Sequence, residues 1–296
     1  MSRDSNERDF HYCGRIFTGK EIEWIRQLIA SNPNFNRSRL SRVVCEDLGW
    51  LRPDGRSKEM SCRVAMLRME KDGLITLPVP EKKCNNGKTK IRLTSDSAPQ
   101  QSISCPLKKL DKIIFKRVQR RQGSSLWNEL IERYHYLGYK PLPGAQIRYL
   151  VYAGSHLLAA LGFGAAAWTI APRDHFIGWT GEQRKKKLHL VANNARFLIL
   201  PWIEVPNLAS YILARVARLL PSDWQSVYGY QPVLLETFVE QDRFNGTCYR
   251  AANWIHVGET KGRGKLDRKN QYLLPVKDIF LYPLDKHFRE KLCFHI

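Results

Sequence analysis

The chain has 296 residues, 43% of them hydrophobic and 26% charged, the proportions of a folded protein rather than a disordered or fibrous one. Lys and Arg number 48 against 28 Asp and Glu, a formal net charge of +20, which favours polyanionic partners, nucleic acid first, over a merely basic enzyme with no such partner. Seven scattered cysteines without a C-x-x-C pair, a charged N-terminal stretch without an apolar core, and apolar runs too short for a bilayer argue against disulfide scaffold, zinc site, secretion and membrane span, and so for a reducing cytoplasm.

Residues 1–100 are expected to form three helices and a hairpin. Thr18 followed by Glu21 is a capping box, and Ile22, Ile25, Leu28 and Ile29 then repeat at helical spacing. A second helix begins near Ser38 with Leu40, Val43, Val44 and Leu48 on one face. A third begins near Ser57, with Met60, Val64 and Leu67 inward and Gly73 as its C-terminal cap. Two strands, Leu74 to Leu77 and Lys90 to Leu93, flank Asn86-Gly87, a dipeptide suited to a tight hairpin turn. The sum is a winged helix-turn-helix whose third helix would read DNA through Arg63 and Arg68, alongside Arg56 and Lys58. The wing would add Lys88, with Lys82, Lys83 and Lys90. A protein-docking role for the same module is the alternative.

Residues 101–125 read as a basic linker. The polar, periodless stretch from Thr94 to Ser104 leads into Lys108, Lys109, Lys112, Lys116, Arg117, Arg120 and Arg121. These side chains either track a phosphate backbone or line a solvated face.

From 126 to 296 the elements alternate, which predicts a mixed α/β sheet. A helix over Leu126 to Tyr136 comes first. Strands follow over Ile147 to Ala153, His156 to Trp168 and Arg196 to Leu200. Asn207 then caps an amphipathic helix with Leu208, Ile212, Val216 and Leu220 on one face and Arg215 and Arg218 opposite. A strand over Val233 to Val239, a helix over Gly246 to Asn253 and a strand over Trp254 to Val257 complete the pattern.

Several motifs in this order carry a resemblance: N-x-R-F-L-I-L-P at Asn194 to Pro201, N-L-A-S at Asn207 to Ser210, L-L-E-T-F-V at Leu234 to Val239, and G-T-C-Y-R-A-A-N-W at Gly246 to Trp254. With L-S-R-V-V-C and K-D-G-L-I-T-L-P nearer the front, they resemble the DruA family of Druantia anti-phage defence proteins over nearly the whole chain. More distantly, the second half is similar to Mom-like GNAT acyltransferases. The resemblance implies a DNA-binding defence component working with other defence-system proteins, on single- or double-stranded DNA. The alternative it carries is a GNAT-like transferase that modifies DNA bases.

For the second role the turn Leu200 to Asn207 is unsuited to acyl-CoA: it holds two prolines, no glycine, and Glu204, which repels phosphate. No cofactor is assigned. The polar candidates are His135, Arg173, Asp174, Asn194, Arg196, Glu236, Thr237, Glu240 and Tyr249, of which Glu236, His135 and Tyr249 are the catalytic expectation. Glu236, in an apolar strand, is either a general base or the partner of Arg196. His135 is either catalytic or a core histidine, and Arg173-Asp174 near Trp179 reads as a loop-bracing pair. Glu236, Glu240 and Asp242 lack the pattern of a metal nuclease, so no metal site is expected. Finally, Tyr249 and Asn253 at helical spacing, Trp254 beside them, and Lys261, Arg263 and Lys265 among glycines suggest a nucleic-acid clamp with a basic flap. The alternative is that Asn253 only caps a helix, Trp254 is core, and the flap is a surface loop.

Overall fold

The computed structural model describes residues 9–53, 55–81, 91–119, 122–142, 144–262 and 274–294. The chain divides into two compact units, residues 1–88 and 89–296.

The first unit opens on a hairpin the sequence reading missed: β1 (Phe10–Tyr12) pairs antiparallel with β2 (Arg15–Phe17) across Cys13 and Gly14, both left-handed at φ 51° and 77°. Three helices follow: α1 (Gly19–Ser31), α2 (Arg37–Asp47) and α3 (Glu59–Lys71). The Thr18/Glu21 capping box starts α1 as expected, and Asn36 caps α2 by accepting from the Arg39 N–H at 2.9 Å. Gly73, at φ 73°, follows α3 as its left-handed stop.

The inward face of α3 differs from the expected one. Cys62, Ala65, Met66 and Met69 are buried, whereas Met60, Val64 and Leu67 are 57%, 38% and 44% exposed. The helix is apolar on two sides, and packing against α2 selects the side with the smaller and more flexible residues. Leu74 to Leu77 takes no strand pairing; Ile75 and Leu77 are buried as irregular chain instead. The expected turn at Asn86-Gly87 lies outside the described residues.

The second unit is built on a mixed seven-stranded sheet. Its elements in chain order are β3 (Ile103–Ser104), β4 (Ile113–Arg117), α4 (Ser124–Tyr134), β5 (Ile147–Ala153), β6 (His156–Ala165), α5 (Ala171–Ile177), α6 (Gly181–Lys187), β7 (Val191–Ile199), β8 (Ile203–Glu204), α7 (Leu208–Tyr228), β9 (Leu234–Glu240), α8 (Thr247–Ala251), β10 (Ile255–Glu259), β11 (Lys277–Pro283) and α9 (Phe288–Cys293). The strand order is β10-β11-β9-β7-β6-β5-β4, antiparallel throughout except for the parallel pair β7/β9.

Neighbouring residues of β5 reach opposite faces of this sheet. Arg148 lies over the Trp127 ring of α4 at 5.1 Å, while the Tyr149 hydroxyl donates to Asp223 of α7 at 2.6 Å. The two long helices therefore cover opposite faces. Trp127 fits because residue 162 of β6 is glycine: a Cβ there would sit 2.8 Å from the Trp127 ring.

Residues 101–125, expected as a linker, belong to the second unit, since β4 forms an edge of the sheet and β3 pairs with β8. Arg117 is likewise not free for a phosphate backbone: it donates to Ser226 Oγ at 2.7 Å and lies 3.5 Å from Asp223. Just downstream, buried Glu129 of α4 accepts from the Thr94 N–H at 2.7 Å, from the hydroxyls of Thr94 and Ser97 at 2.8 and 3.0 Å, and from Ser125 at 3.0 Å. Burial pushes this carboxyl up, but the Thr94, Ser125 and Ser97 donors outweigh it and hold it below the usual carboxylate range. The stabilisation is therefore present above the unfolded value near 4.3 and is lost as pH falls through the depressed folded one. Glu129→Gln is expected to lower stability by about 1–3 kcal/mol at pH 7. In urea titrations the difference from wild type should shrink towards pH 3, and a pH-independent difference would contradict the assignment.

The described cysteines are all free thiols, and among the described residues no helix is long and apolar enough to cross a membrane.

Candidate functional site: the cleft between β7 and β9

Strands β7 and β9 pair only from Val191–Asn193 to Leu234–Glu236, although β7 runs on to Ile199 and β9 to Glu240. Two local features part them. A register shift at Gly162/Phe163 breaks the regular pairing of β6 with β7, and an irregularity of this kind re-aims a strand. Where the ladder stops, side chains replace it: the Thr237 hydroxyl donates to the Asn194 carbonyl at 3.1 Å, and the Tyr249 hydroxyl to Asn194 Oδ1 at 2.9 Å. Beyond them opens a cavity of about 610 Å³. Its walls include facing strand edges that share no further register pair.

The floor of the cleft is Asn194, Thr237 and Tyr249, all buried. Tyr249 is fixed by Phe280, stacked at 5.8 Å, by Trp254 at 5.1 Å and by Phe197 at 6.2 Å. Burial pushes its hydroxyl far up, so it is a neutral donor and not a base. His135 borders the mouth, stacked on Tyr136 at 4.9 Å. Burial first, then the nearby Arg196 and Lys277 charges, hold its pKa down at about 4. Its Nδ1 accepts from the Leu137 N–H at 3.2 Å, which leaves the proton of the neutral ring on Nε2. His135 as it stands is a donor with its lone pair already engaged.

Glu236, the third catalytic expectation, is not in the cleft. It is fully buried and accepts from the Ala167 N–H and from Arg173 Nη1, both at 2.7 Å. Arg173 is also fully buried and holds Asp174 at 2.8 Å, and Asp174 in turn takes Trp179 Nε1 and Arg184 Nη1 at 3.0 Å each. Arg173-Asp174 thus braces α5 against the sheet, as the sequence suggested, and extends that brace to Glu236. The expected partner, Arg196, donates instead to the Ala195 carbonyl at 2.7 Å.

The described members of the expected clamp do not come together on one exposed face. Trp254 is 4% exposed, packed on Tyr249 and Tyr282, and cannot stack on a base. Helix α8 ends at Ala251, so Asn253 follows it in a left-handed conformation at φ 62° and does not share a face with Tyr249. Asn253 and Lys261 are exposed. In the first unit Arg68 is exposed, while Arg63 turns back onto Ser38 and Met60. Lys88, Arg120, Arg121, Arg263 and Lys265 lie outside the described residues. Among the described residues no group of three or more His, Cys, Asp or Glu is arranged for a metal ion.

The mouth of the cleft holds residues the sequence reading passed over. Tyr136 and Phe244, 37% and 50% exposed, meet with ring centres 5.5 Å apart. The Arg243 guanidinium carbon lies 5.3 Å from the Tyr136 ring centre, and Arg243 Nε reaches Glu240 at 2.8 Å. Lys277 Nζ stands 4.0 Å from the other Glu240 oxygen. Arg196 is 8% exposed, its Nε has no hydrogen-bond partner, and no acidic group among the described residues pairs with it. The available signal was the Y-H-Y run and a phenylalanine in a polar loop, which becomes legible only when the two segments meet.

A family model described as Druantia protein DruA matches residues 68–273. No curated protein matches the chain. Among solved structures, a GNAT-family acetyltransferase from Streptococcus pneumoniae is 9% identical, covering 59% of this chain and 100% of its own, with a TM-score of 0.38. A polyamine N-acetyltransferase from Drosophila melanogaster is 12% identical over 58% of this chain and 100% of its own, with a TM-score of 0.36. An N-acetyltransferase from Staphylococcus aureus Mu50 is 11% identical over 59% and 100%, with a TM-score of 0.37.

Proposed function

The chain belongs to the Druantia protein DruA family, and from that membership we propose that it is the DNA-contacting component of a cytoplasmic anti-phage defence system, acting with other proteins of that system. The observation that carries this reading is electrostatic. A chain of net charge +20 sets Arg243 and Lys277 on one carboxylate, Glu240, beside an open cleft, with Arg196 near His135 and Tyr136 and no acidic partner for it among the described residues. Such a surplus attracts a phosphate backbone and is satisfied by it. The cleft itself offers donors and stacking surfaces rather than a proton acceptor, which suits binding better than chemistry. In the first unit Arg68 is the helix α3 residue best placed for a phosphate. The exposed Met60, Val64 and Leu67 beside it fit the docking alternative.

The test is a gel-shift titration of the full chain with single- and double-stranded DNA across a salt series. With six or more phosphates neutralised, affinity is expected to fall by about a thousandfold between 50 and 200 mM salt. No binding at 50 mM salt would end the proposal.

A second reading, group transfer to a DNA base, is favoured by the parting of β7 and β9, whose unpaired backbone edges could take an extended ligand. Against it stands the entry to α7. There Ile203 and Glu204 are tied into β8, and Asn207 is left-handed and makes no side-chain cap. Mass spectrometry of nucleosides from DNA incubated with protein and cell extract decides between the two. A new modified base would establish transfer.

A further inference from the structure

We propose that the mouth of the β7–β9 cleft receives one unstacked nucleotide of bound DNA, its base laid on the Tyr136–Phe244 ring pair and its phosphate facing Arg243. This rests on the DNA-binding reading above and assigns the cleft a ligand.

Tyr136 is flanked by His135 and Arg243, and the half-exposed Phe244 ring that meets it leaves apolar surface uncovered at the rim of a polar cavity, to which a nucleobase presents a flat π-face of matching chemistry. At about 610 Å³ the cavity falls within the range of small-ligand sites and has room for one nucleotide. Arg243 lines this cavity, spends only Nε on Glu240 and has a side chain 56% exposed, so its remaining N–H groups are available to an anion. Arg196, a residue 8% exposed, adds a guanidinium that donates to the Ala195 carbonyl but has an unpaired Nε and no carboxylate partner among the described residues, a charge that a phosphate nearby would offset. Neutral His135, stacked beneath Tyr136, extends the ring surface without adding to the repulsion among the cations. Base and phosphate requirements therefore converge on one rim, and a single-stranded or locally opened DNA supplies both.

The test uses the full chain and a single-stranded oligonucleotide carrying one 2-aminopurine, whose fluorescence is quenched by stacking. Wild type should quench it on binding. Tyr136→Ala with Phe244→Ala should abolish the quench and weaken single-strand binding about ten- to a hundredfold, the effect of losing aromatic–base stacking. Tyr136→Phe should retain both. Arg243→Gln should weaken binding and lower the salt slope by about one. Circular dichroism and melting of each variant show whether it folds. If the folded double-alanine variant quenches and binds as wild type does, the site assignment is wrong, although the DNA-binding reading survives. If wild type binds no DNA at 50 mM salt, that reading fails instead. If free deoxynucleoside monophosphate competes at concentrations matching the oligonucleotide's own affinity, the site serves a free nucleotide, and the assignment to DNA is overturned.

Discussion

Replacing Arg173 by methionine is expected to cost about 3–5 kcal/mol of stability, the penalty for leaving a buried carboxylate without its partner. Arg173 and Glu236 are both fully buried and 2.7 Å apart, and Arg173 also donates to the Ala167 carbonyl and to Asp174. Removing the guanidinium strands Glu236 in an apolar strand with only the Ala167 N–H to accept from. Glu236→Gln should cost less, because Arg173 keeps Asp174. Arg173→Met with Glu236→Leu should recover much of the loss, since a buried pair exchanged for apolar side chains is often near neutral. Urea denaturation of the three variants gives these values. A loss below about 1 kcal/mol for Arg173→Met would show that the pair is not the brace described. The same set separates structure from chemistry: if Glu236→Gln left melting unchanged but abolished phage protection, Glu236 would regain a catalytic role.

Gly246→Ala is expected to cost about 2–5 kcal/mol, combining left-handed strain on a non-glycine residue with overpacking. Gly246 is the N-cap that precedes α8, at φ 67°, and a Cβ there would lie 2.6 and 2.8 Å from atoms of the Phe280 ring. That ring stacks on Tyr249, so the displacement passes to the cleft floor and to the Tyr249–Asn194 hydrogen bond. Gly14→Ala supplies the control: its φ is 77°, but an added Cβ meets nothing within 4 Å. Only the strain should remain there, about 1–2 kcal/mol. Denaturation midpoints for the two variants should therefore differ clearly, and equal losses would mean that Phe280 moves aside at no cost.

About half of the second unit's elements were legible, because their signals are local. The helices and strands around Leu126, Ile147, His156, Leu208 and Val233 lie where periodicity and turn residues put them, within a few positions. Strand β11, like β3, β4, β8, α5, α6 and α9, was not anticipated: Lys277 to Pro283 pairs with β9 and carries Phe280 against Tyr249 of the cleft floor. The hairpin at Phe10 to Phe17 was missed for a related reason, since its strands are three residues each and carry too little alternation to register. Asn207 shows the opposite failure. A residue type that suits a cap stands at the helix start, but its left-handed backbone turns the side chain away from that role.

What the sequence determined by itself was the charge, the family motifs and the helix boundaries set by Thr18, Glu21 and Gly73. The helix boundaries depend on residues within about four positions, where a cap of about 1 kcal/mol can act without the rest of the chain. Partner choice was decided only by the tertiary structure. Glu236 meets Arg173, 63 residues away, rather than Arg196, because the β7/β9 register and the placement of α5 bring that guanidinium to it. Trp254 is core and Tyr136 with Phe244 is surface, although all three are aromatic residues among polar neighbours. Aromatic identity is blind to burial; which rings face solvent depends on which faces other elements cover, and that follows from strand order and packing rather than from local propensity.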